Sequence, residues 1–134
     1  MNFPLVSVYI PTRNRSKLLH RAVHSVLEQS YDNFEVIIVD DGSTDETYTI
    51  AKELENQNKN IIVLRNEIAR GACVSRNLAI SHSKGEYITG LDDDDYFEKE
   101  RLWNFVDNLT RCDLLFSGVK VKNKQKITPK KFKK

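Results

Sequence analysis

The sequence predicts an α/β fold in which a mostly parallel sheet carries helices on both faces. Apolar residues switch repeatedly between the short continuous runs of buried strands and the one-sided stripes of amphipathic helices. These elements follow one another in β-α-β-α-β-α-β order, which is typical of parallel sheets with right-handed crossovers. The chain has 134 residues, of which 40% are hydrophobic and 30% charged. That length and composition predict about one globular domain.

The element predictions come from the positions of these runs. Strands are predicted over residues 5–10, 34–39, 61–64, 86–91 and 114–121, and helices over 16–29, 44–57, 72–83 and 98–109. Pro11 is expected to stop the first strand. The second helix is expected to begin at a cap of Ser43 or Thr44, followed by two acids in its first turn. Gly85 is expected to close the third helix.

Charge is distributed unevenly along the chain. Residues 120–134 contain eight lysines and no acid, whereas the other 119 residues contain 13 basic and 19 acidic side chains. An acidic body does not offer a nucleic-acid-binding face, so no nucleic-acid partner is expected. The basic tail is expected to be solvated and frayed, or else to contact phosphates or an anionic membrane surface.

Targeting signals and disulfide patterns are missing from the sequence. No apolar run approaches the ~18 residues of a membrane-spanning helix, and the N-terminus lacks the basic and apolar regions of a signal peptide. The two cysteines, Cys73 and Cys112, do not form a CxxC motif. These features predict a cytoplasmic protein with reduced thiols.

Polar, chemically reactive segments follow three of the predicted strands. They are Pro11–Arg15, Asp40–Asp45 and Asp92–Asp95. In open parallel sheets, ligands bind beyond the carboxyl ends of the strands, where the strand order reverses. We therefore expect the three segments to meet at one edge of the sheet and to form a binding site.

The run Asp92–Asp95 places four like charges side by side, which raises their mutual repulsion. A divalent cation such as Mg²⁺ or Mn²⁺ would relieve that repulsion, held by one or two carboxylates and by substrate phosphates. The alternative is a solvated acidic turn that caps the following helix. An EF-hand loop is excluded, because its glycine and final glutamate positions are occupied by Phe97 and Trp103.

Asp41 and Gly42 follow the second predicted strand. Asp41 is placed to accept a hydrogen bond from a base or a ribose, although strand-to-helix loops are also acidic without a ligand. Gly42 permits a tight turn or a close approach of the backbone.

Arginines on the expected ligand edge are the candidate phosphate partners. They are Arg13, Arg70 and Arg76, and Arg15 is left out of this set. The sequence has no GxGxxG dinucleotide-binding motif, no P-loop and no GxSxG nucleophile elbow, so the functions that depend on these motifs are not supported. His20 and His24 have helical i, i+4 spacing, but residue 21 is Arg and the acid of an HExxH zinc motif is absent.

Three longer segments carry a family resemblance. They are VSVYIPTRNR, SVLEQSYDNFEVIIVDDGSTDET and RGACVSRNLAISHSKGEYITGLDDDD, and they cover about residues 5–110. In this order and spacing they resemble the N-terminal, donor-binding part of family 2 glycosyltransferases, which have the A-type, Rossmann-like nucleotide-diphospho-sugar transferase fold. The resemblance implies a truncated fold, with residues 1–119 as the nucleotide-sugar-binding part. Residues 120–134 would be a basic tail, either disordered or the start of a missing half.

The resemblance also implies where a nucleotide-sugar, usually a UDP-sugar, would bind. The nucleoside pocket would be lined by Pro11, Thr12 and Arg13, and the base would be recognised by Asp41. Near the nucleotide would lie Arg76 and Asn77. The family's DxD element is matched by Asp92, Asp93 and Asp94. The divalent metal, Mn²⁺ or Mg²⁺, would be bound by Asp94, and the ribose or the metal by Asp92 or Asp93.

The implied reaction is sugar transfer to a hydroxyl acceptor with inversion of the anomeric configuration. A base would deprotonate the acceptor while the metal stabilises the departing diphosphate. The acceptor would be a saccharide or a lipid-linked molecule of cell-wall or polysaccharide biosynthesis, with the protein in the cytoplasm and in possible peripheral contact with the membrane's inner face. No Asp or Glu follows Asp113, so the catalytic base is expected to be absent from this chain.

Two other functions share part of this pattern. A nucleotide-sugar-binding module without transferase activity would use every residue named above. A phosphoacceptor receiver domain has a similar length and also binds Mg²⁺, but it carries its acidic pair after the first strand. Here Asp40 and Asp41 follow the second strand.

Overall fold

The computed structural model describes residues 3–109. In that part of the chain, strands and helices alternate as β1 (Val6–Thr12), α1 (Ser16–Leu27), β2 (Phe34–Asp41), α2 (Thr47–Gln57), β3 (Ile61–Asn66), α3 (Ala72–His82), β4 (Tyr87–Gly90) and α4 (Arg101–Leu109). The strand predicted over 114–121, the basic tail and Cys112 lie outside the described residues. No helix in residues 3–109 is both long enough and apolar enough to cross a membrane.

The four strands form one parallel sheet in the order β3-β2-β1-β4. Successive strands are added outward from β1 to β3, and the chain then returns to place β4 on the other side of β1. The strand order therefore reverses between β1 and β4. In parallel sheets this is the position where a ligand crevice forms at the carboxyl edge.

Helices cover both faces of the sheet, which confirms the predicted α/β class. On one face, the side chains of Val8, Ile10 and Val36 pack in the main apolar core with residues of α1, α2 and α4. On the other face, Ile37 and Val39 pack against α3. Every residue of β2 is buried, because a central parallel strand is covered on both sides.

Strand β1 runs two residues further than the sequence predicts. Pro11 was expected to stop it, but β1 continues beside β2 to Thr12, which pairs with Asp40. Pairing with β4 ends earlier, at Tyr9 and Gly90. The last residues of β1 are therefore paired on one side only. Proline has no N–H to donate, and a strand position with one unpaired side tolerates it.

Helix α2 begins at Thr47 and not at residue 44, so the predicted cap is wrong. The Thr44 backbone N–H donates to the side chain of Asn14, at 2.8 Å. The Thr47 N–H donates to the carboxylate of Asp45, at 2.9 Å. These side-chain acceptors keep residues 44–46 in the loop, and the two acids precede the helix.

Two further element ends differ from the predictions. Gly85 does not cap α3, which ends at His82. A Cβ at Gly85 would lie 2.6 Å from the backbone nitrogen of Ser7, so glycine is required there by the close approach of two chain segments. Helix α4 begins at Arg101, three residues later than predicted.

Candidate functional site

A cleft of about 440 Å³ opens at the carboxyl ends of β1, β2 and β4. Its lining includes the sequence-predicted residues Pro11, Thr12, Arg13, Asp41, Arg76 and Asp92–Asp94. Other lining residues are Arg15, Gly71, Ala72 and Ser75. The three predicted segments therefore do meet at one edge of the sheet. Asn77 is exposed on α3 and does not belong to this lining.

A larger groove, of about 880 Å³, lies along the outer side of α1. Its lining includes His20, His24, Tyr96 and Phe97. Its lining contains none of the predicted site residues, although Tyr96 and Phe97 follow the acidic segment directly in the chain. We assign the candidate site to the smaller cleft, because that cleft combines the position expected for a ligand with carboxylates and arginines.

Asp41 is a buried carboxylate on the wall of the cleft, with only 5% of its surface exposed. Its Oδ1 accepts hydrogen bonds from Asn66 Nδ2 and the Arg70 backbone N–H, both at 2.8 Å. Its Oδ2 accepts one from the Gly71 N–H at 2.8 Å. Burial by itself raises the pKa of Asp41, but these hydrogen bonds outweigh it and hold the pKa below its ordinary value.

The acidic loop, Asp92–Asp95, follows β4, and Asp93 fastens it to the end of β1. Asp93 is 6% exposed, and its Oδ2 accepts a hydrogen bond from Thr12 Oγ1 at 2.8 Å. Its Oδ1 accepts one from Arg15 Nη1 at 3.0 Å. Both oxygens of Asp93 are therefore already used within the protein.

Asp92 and Asp94, on either side of Asp93, are much more exposed, at 52% and 55% of their side-chain surface. Asp92 accepts a hydrogen bond from Arg76 Nη2 at 2.8 Å, and Asp94 accepts one from Arg15 Nη1 at 3.1 Å. The hydrogen bond to Asp92 raises the pKa of Arg76. The charge of Asp93, together with the bond to Asp94, raises the pKa of Arg15.

Two cleft loops are fastened to each other through Asn14, which sequence reasoning missed. Its φ of 51° is in the left-handed region, where asparagine is tolerated better than most residues. Its N–H donates to Ser43 Oγ at 2.9 Å, and its side-chain oxygen accepts from the Thr44 N–H. The following N–H, of Arg15, donates to Thr47 Oγ1 at 2.9 Å. Hydrophobic periodicity does not predict a left-handed backbone conformation at a single polar residue, so the sequence pattern does not single out Asn14.

The structure places the sequence-predicted arginines in different positions relative to the cleft. Arg13 and Arg76 line the cleft, whereas Arg70 contributes its backbone N–H to Asp41 and its side chain is outside the lining. Arg15, left out of the prediction, contacts two of the aspartates. The signal that could have found it is its position two residues after Arg13, in the same loop as a predicted site residue.

The acidic loop can be tested for its fit to a metal ion. No three His, Cys, Asp or Glu side chains in residues 3–109 converge on one point. Asp92 and Asp94 are exposed oxygen ligands of the kind that Mg²⁺ and Mn²⁺ prefer, and such ions are commonly held by one or two carboxylates plus phosphates. The donor set fits a cation that a bound diphosphate helps to hold, and it does not fit a cation enclosed by protein side chains.

A comparison with protein-family models decides the family. Residues 7–133 match the model described as Glycosyl transferase family 2. This chain belongs to that family. Membership agrees with the resemblance seen in the three sequence segments, and it excludes the receiver-domain alternative.

Relatives in the family include two enzymes of Escherichia coli. The putative colanic acid biosynthesis glycosyl transferase WcaA, of strain K12, is 47% identical over 105 residues, which are 78% of this chain and 38% of WcaA. WfaP, a UDP-Glc:α-D-GlcNAc-diphosphoundecaprenol β-1,3-glucosyltransferase, is 36% identical over 113 residues, which are 84% of this chain and 44% of WfaP. This chain therefore spans less than half the length of either relative.

Solved structures of glycosyltransferases share the fold. S. aureus TarS 1–349 in complex with UDP-GlcNAc matches with a TM-score of 0.73 and 33% identity, over 78% of this chain and 31% of TarS. The mannosyltransferase PcManGT from Pyrobaculum calidifontis, in complex with GDP-Man and Mn²⁺, matches with a TM-score of 0.66 and 28% identity, over 70% of this chain and 28% of PcManGT. The predicted Rossmann-like glycosyltransferase fold is thereby confirmed.

Proposed function

We propose that the cleft binds a nucleotide-diphospho-sugar, a UDP-sugar, as the donor for sugar transfer to a hydroxyl acceptor. The observation that carries the proposal is the convergence of Asp41, the cleft arginines and the acidic loop at the carboxyl edge of the sheet. The titles of two similar structures support it, since TarS is described with UDP-GlcNAc and PcManGT with GDP-Man.

The base would be recognised by Asp41, between walls formed by Pro11, Thr12 and Arg13. A carboxylate offers about four acceptor positions. Three of those on Asp41 are filled by Asn66, Arg70 and Gly71, and the Ser75 side chain is a further hydrogen-bond partner. The base would bind at Oδ2 by sharing or displacing the Ser75 contact. Because its pKa is held low, Asp41 stays ionised and can only accept, so it selects a base that presents an N–H. Uracil presents one at N3, whereas cytosine presents N4–H₂ beside an unprotonated N3, whose lone pair repels a carboxylate.

The diphosphate would lie between Arg76, with Asn77 beside it, and the acidic loop. Arginine suits phosphate because its planar group donates two parallel hydrogen bonds. Asp92 and Asp94 would hold Mn²⁺ or Mg²⁺, which when bound offsets the negative charge that develops on the departing diphosphate. Asp93 would keep these two carboxylates in place, since each of its oxygens already accepts one hydrogen bond from Thr12 or Arg15.

The acceptor side is proposed from relatives. WfaP is named for a diphosphoundecaprenol acceptor and WcaA for colanic acid biosynthesis, so we infer a saccharide or lipid-linked acceptor in polysaccharide synthesis, met at the cytoplasmic side of a membrane. Inversion of the anomeric configuration belongs to the same proposal. We assign no catalytic base among residues 3–109.

The test is a calorimetric panel of UDP, GDP and CDP, each with and without Mn²⁺. We expect UDP to bind, and Mn²⁺ to strengthen its binding by about tenfold, equivalent to roughly 1.4 kcal/mol. Asp94→Asn should remove the metal enhancement and leave the fold intact, because an exposed loop carboxylate contributes little to stability.

The matched control is Asp32→Asn, which removes an exposed aspartate from the loop before β2, at the opposite edge of the sheet. It should keep the Mn²⁺ enhancement. Enhancement that persists in Asp94→Asn would show that the metal is held elsewhere. Because no catalytic base is assigned in this chain, UDP binding without turnover would fit both the transferase and the nucleotide-sugar-binding module, whereas acceptor-dependent turnover would contradict the binding module.

A further inference from the structure

Arg15 bridges two carboxylates of the acidic loop with a single nitrogen. Its Nη1 donates to Asp93 Oδ1 at 3.0 Å and to Asp94 Oδ2 at 3.1 Å. Asp93 is buried, whereas Arg15 and Asp94 are about half exposed. The guanidinium therefore lies at the opening of the cleft, directly against the carboxylate assigned to the metal.

The position of Arg15 is set by the protein before any ligand arrives. Its backbone N–H donates to Thr47 Oγ1, and the preceding Asn14 is fastened to the loop after β2. Asp93, the inner partner, is held from the other side by Thr12. A guanidinium that is oriented in advance loses less rotamer freedom when it forms its hydrogen bonds.

We propose that Arg15 is a positioning residue that serves as the counter-cation of the acidic loop and weakens the binding of a divalent cation on its own. In the ligand-free protein it balances the charges of Asp93 and Asp94. A cation at Asp94 then meets a fixed positive charge on the same carboxylate, and like charges this close repel. A diphosphate, with its own negative charge, removes that penalty, so cation and nucleotide bind together.

Among the described residues, Arg15 is the cation that pairs with the carboxylate of Asp94; Arg21 also contacts Asp94, but at the backbone carbonyl oxygen of that residue. Arg76 pairs with Asp92, on the other side of the loop. Arg13 lines the cleft but makes no ion pair with an acid in residues 3–109. Lys17 is exposed in the first turn of α1, two residues after Arg15, and likewise has no ion pair in the described part of the chain.

The experiment titrates Mn²⁺ alone, without nucleotide, into the full chain and its variants by calorimetry. We expect Arg15→Gln to bind Mn²⁺ about fivefold more tightly than the wild type, the size of a strong surface charge pair. Arg15→Lys should stay close to the wild type because it keeps the charge. Lys17→Gln, which removes an equal charge nearby, should leave the affinity unchanged.

Asp94→Asn in the Arg15→Gln background should abolish the gain, which shows that the released site is Asp94. The inference is overturned if Arg15→Gln binds Mn²⁺ no more tightly than the wild type, or if Lys17→Gln gains as much. A urea melt checks that the variants fold. If Arg15→Gln is unfolded, Arg15→Met, which keeps the length of the side chain, replaces it in the same comparison.

The inference rests on the proposed function in one respect, which is that Asp94 binds the metal. The donor proposal and the counter-cation role of Arg15 can fail separately, because these Mn²⁺ titrations contain no nucleotide. Failure of UDP to bind, with a gain in Mn²⁺ affinity for Arg15→Gln, would remove the donor proposal and leave the counter-cation role standing. Binding of UDP with Mn²⁺, without that gain, would do the opposite.

Discussion

At the scale of single residues, Asp41 has a structural role, and we propose that the same carboxylate also binds the base of the nucleotide. Three hydrogen bonds from Asn66, Arg70 and Gly71 fasten the loop between β3 and α3 to the end of β2. The Ser75 side chain is a further hydrogen-bond partner of this carboxylate, on the wall of the cleft. The same bonds lower its pKa, so the carboxylate is ionised throughout the neutral range.

The substitution Asp41→Asn should reduce the preference for uridine over cytidine. An amide has a single acceptor oxygen and offers an N–H₂ donor, so it no longer matches N3–H of uracil but can donate to N3 of cytosine. We expect uridine binding to weaken by about 1–3 kcal/mol, the cost of an unpaired buried group. Titration of both nucleosides without metal measures the ratio.

The ratio of the two affinities is what separates the two roles of Asp41. If Asp41→Asn only released the loop between β3 and α3, the affinities for uridine and cytidine would fall equally. That result would mean that Asp41 holds the loop and does not contact the base. Asp32→Asn, at the opposite edge of the sheet, should leave both affinities unchanged.

At the scale of elements, β4 sets the position of the acidic loop, although it is the shortest of the four strands in residues 3–109. Within that part of the chain it pairs with β1 alone, over four residues, and two glycines permit its close approach. A Cβ at Gly85 would lie 2.6 Å from the Ser7 nitrogen and 2.8 Å from the Tyr87 oxygen. A Cβ at Gly90 would lie 2.4 Å from the ring of Tyr9.

Alanine at these glycines should have unequal costs. Gly85→Ala would push against backbone that cannot move without separating β4 from β1, and we expect a loss of about 2–4 kcal/mol in the free energy of unfolding. Gly90→Ala meets the end of a side chain that can turn away, and we expect about 1 kcal/mol. Urea unfolding of both variants tests the order. Equal losses would mean that the Tyr9 ring is held as firmly as the backbone.

At the scale of the whole molecule, the β3-β2-β1-β4 order gathers residues that are far apart in the chain. Thr12 and Asp93 are 81 positions apart and share a hydrogen bond, and Asn66 reaches Asp41 across 25 positions. The four strands that the structure describes are parallel, so their carboxyl ends share one edge. The loops at the other edge face away from the cleft.

Ligand binding should therefore protect separate segments together in hydrogen exchange. With UDP and Mn²⁺ we expect slower exchange in residues 11–15, 40–47, 66–71 and 92–97. The opposite-edge loops, residues 28–33, 58–60 and 83–86, should be unaffected and are the internal control. Protection confined to 92–97 would indicate metal binding without a nucleotide in the cleft. The measurement is amide exchange followed by mass spectrometry.

The sequence by itself determined the α/β class, most element positions and the family. Those features follow from local signals: the buried run at 34–39, the helical stripe of α1, and the carboxylates placed directly after strands. Parallel strands put such residues at one edge whatever the details of packing, so Asp41 and Asp92–Asp94 could be assigned to the site in advance.

Only the tertiary structure decided which contacts each of those residues makes. From the sequence, the metal is assigned to Asp94 by resemblance alone, Asp92 and Asp93 are not distinguished, and Arg13 is chosen over Arg15. The difference arises because Thr12 and Arg15, brought from β1 and its loop, each donate to one oxygen of the buried Asp93, while Asp92 and Asp94 stay exposed. Hydrogen bonds between distant segments depend on strand order and register, and these are set by the packing of the whole sheet and not by any local run of residues.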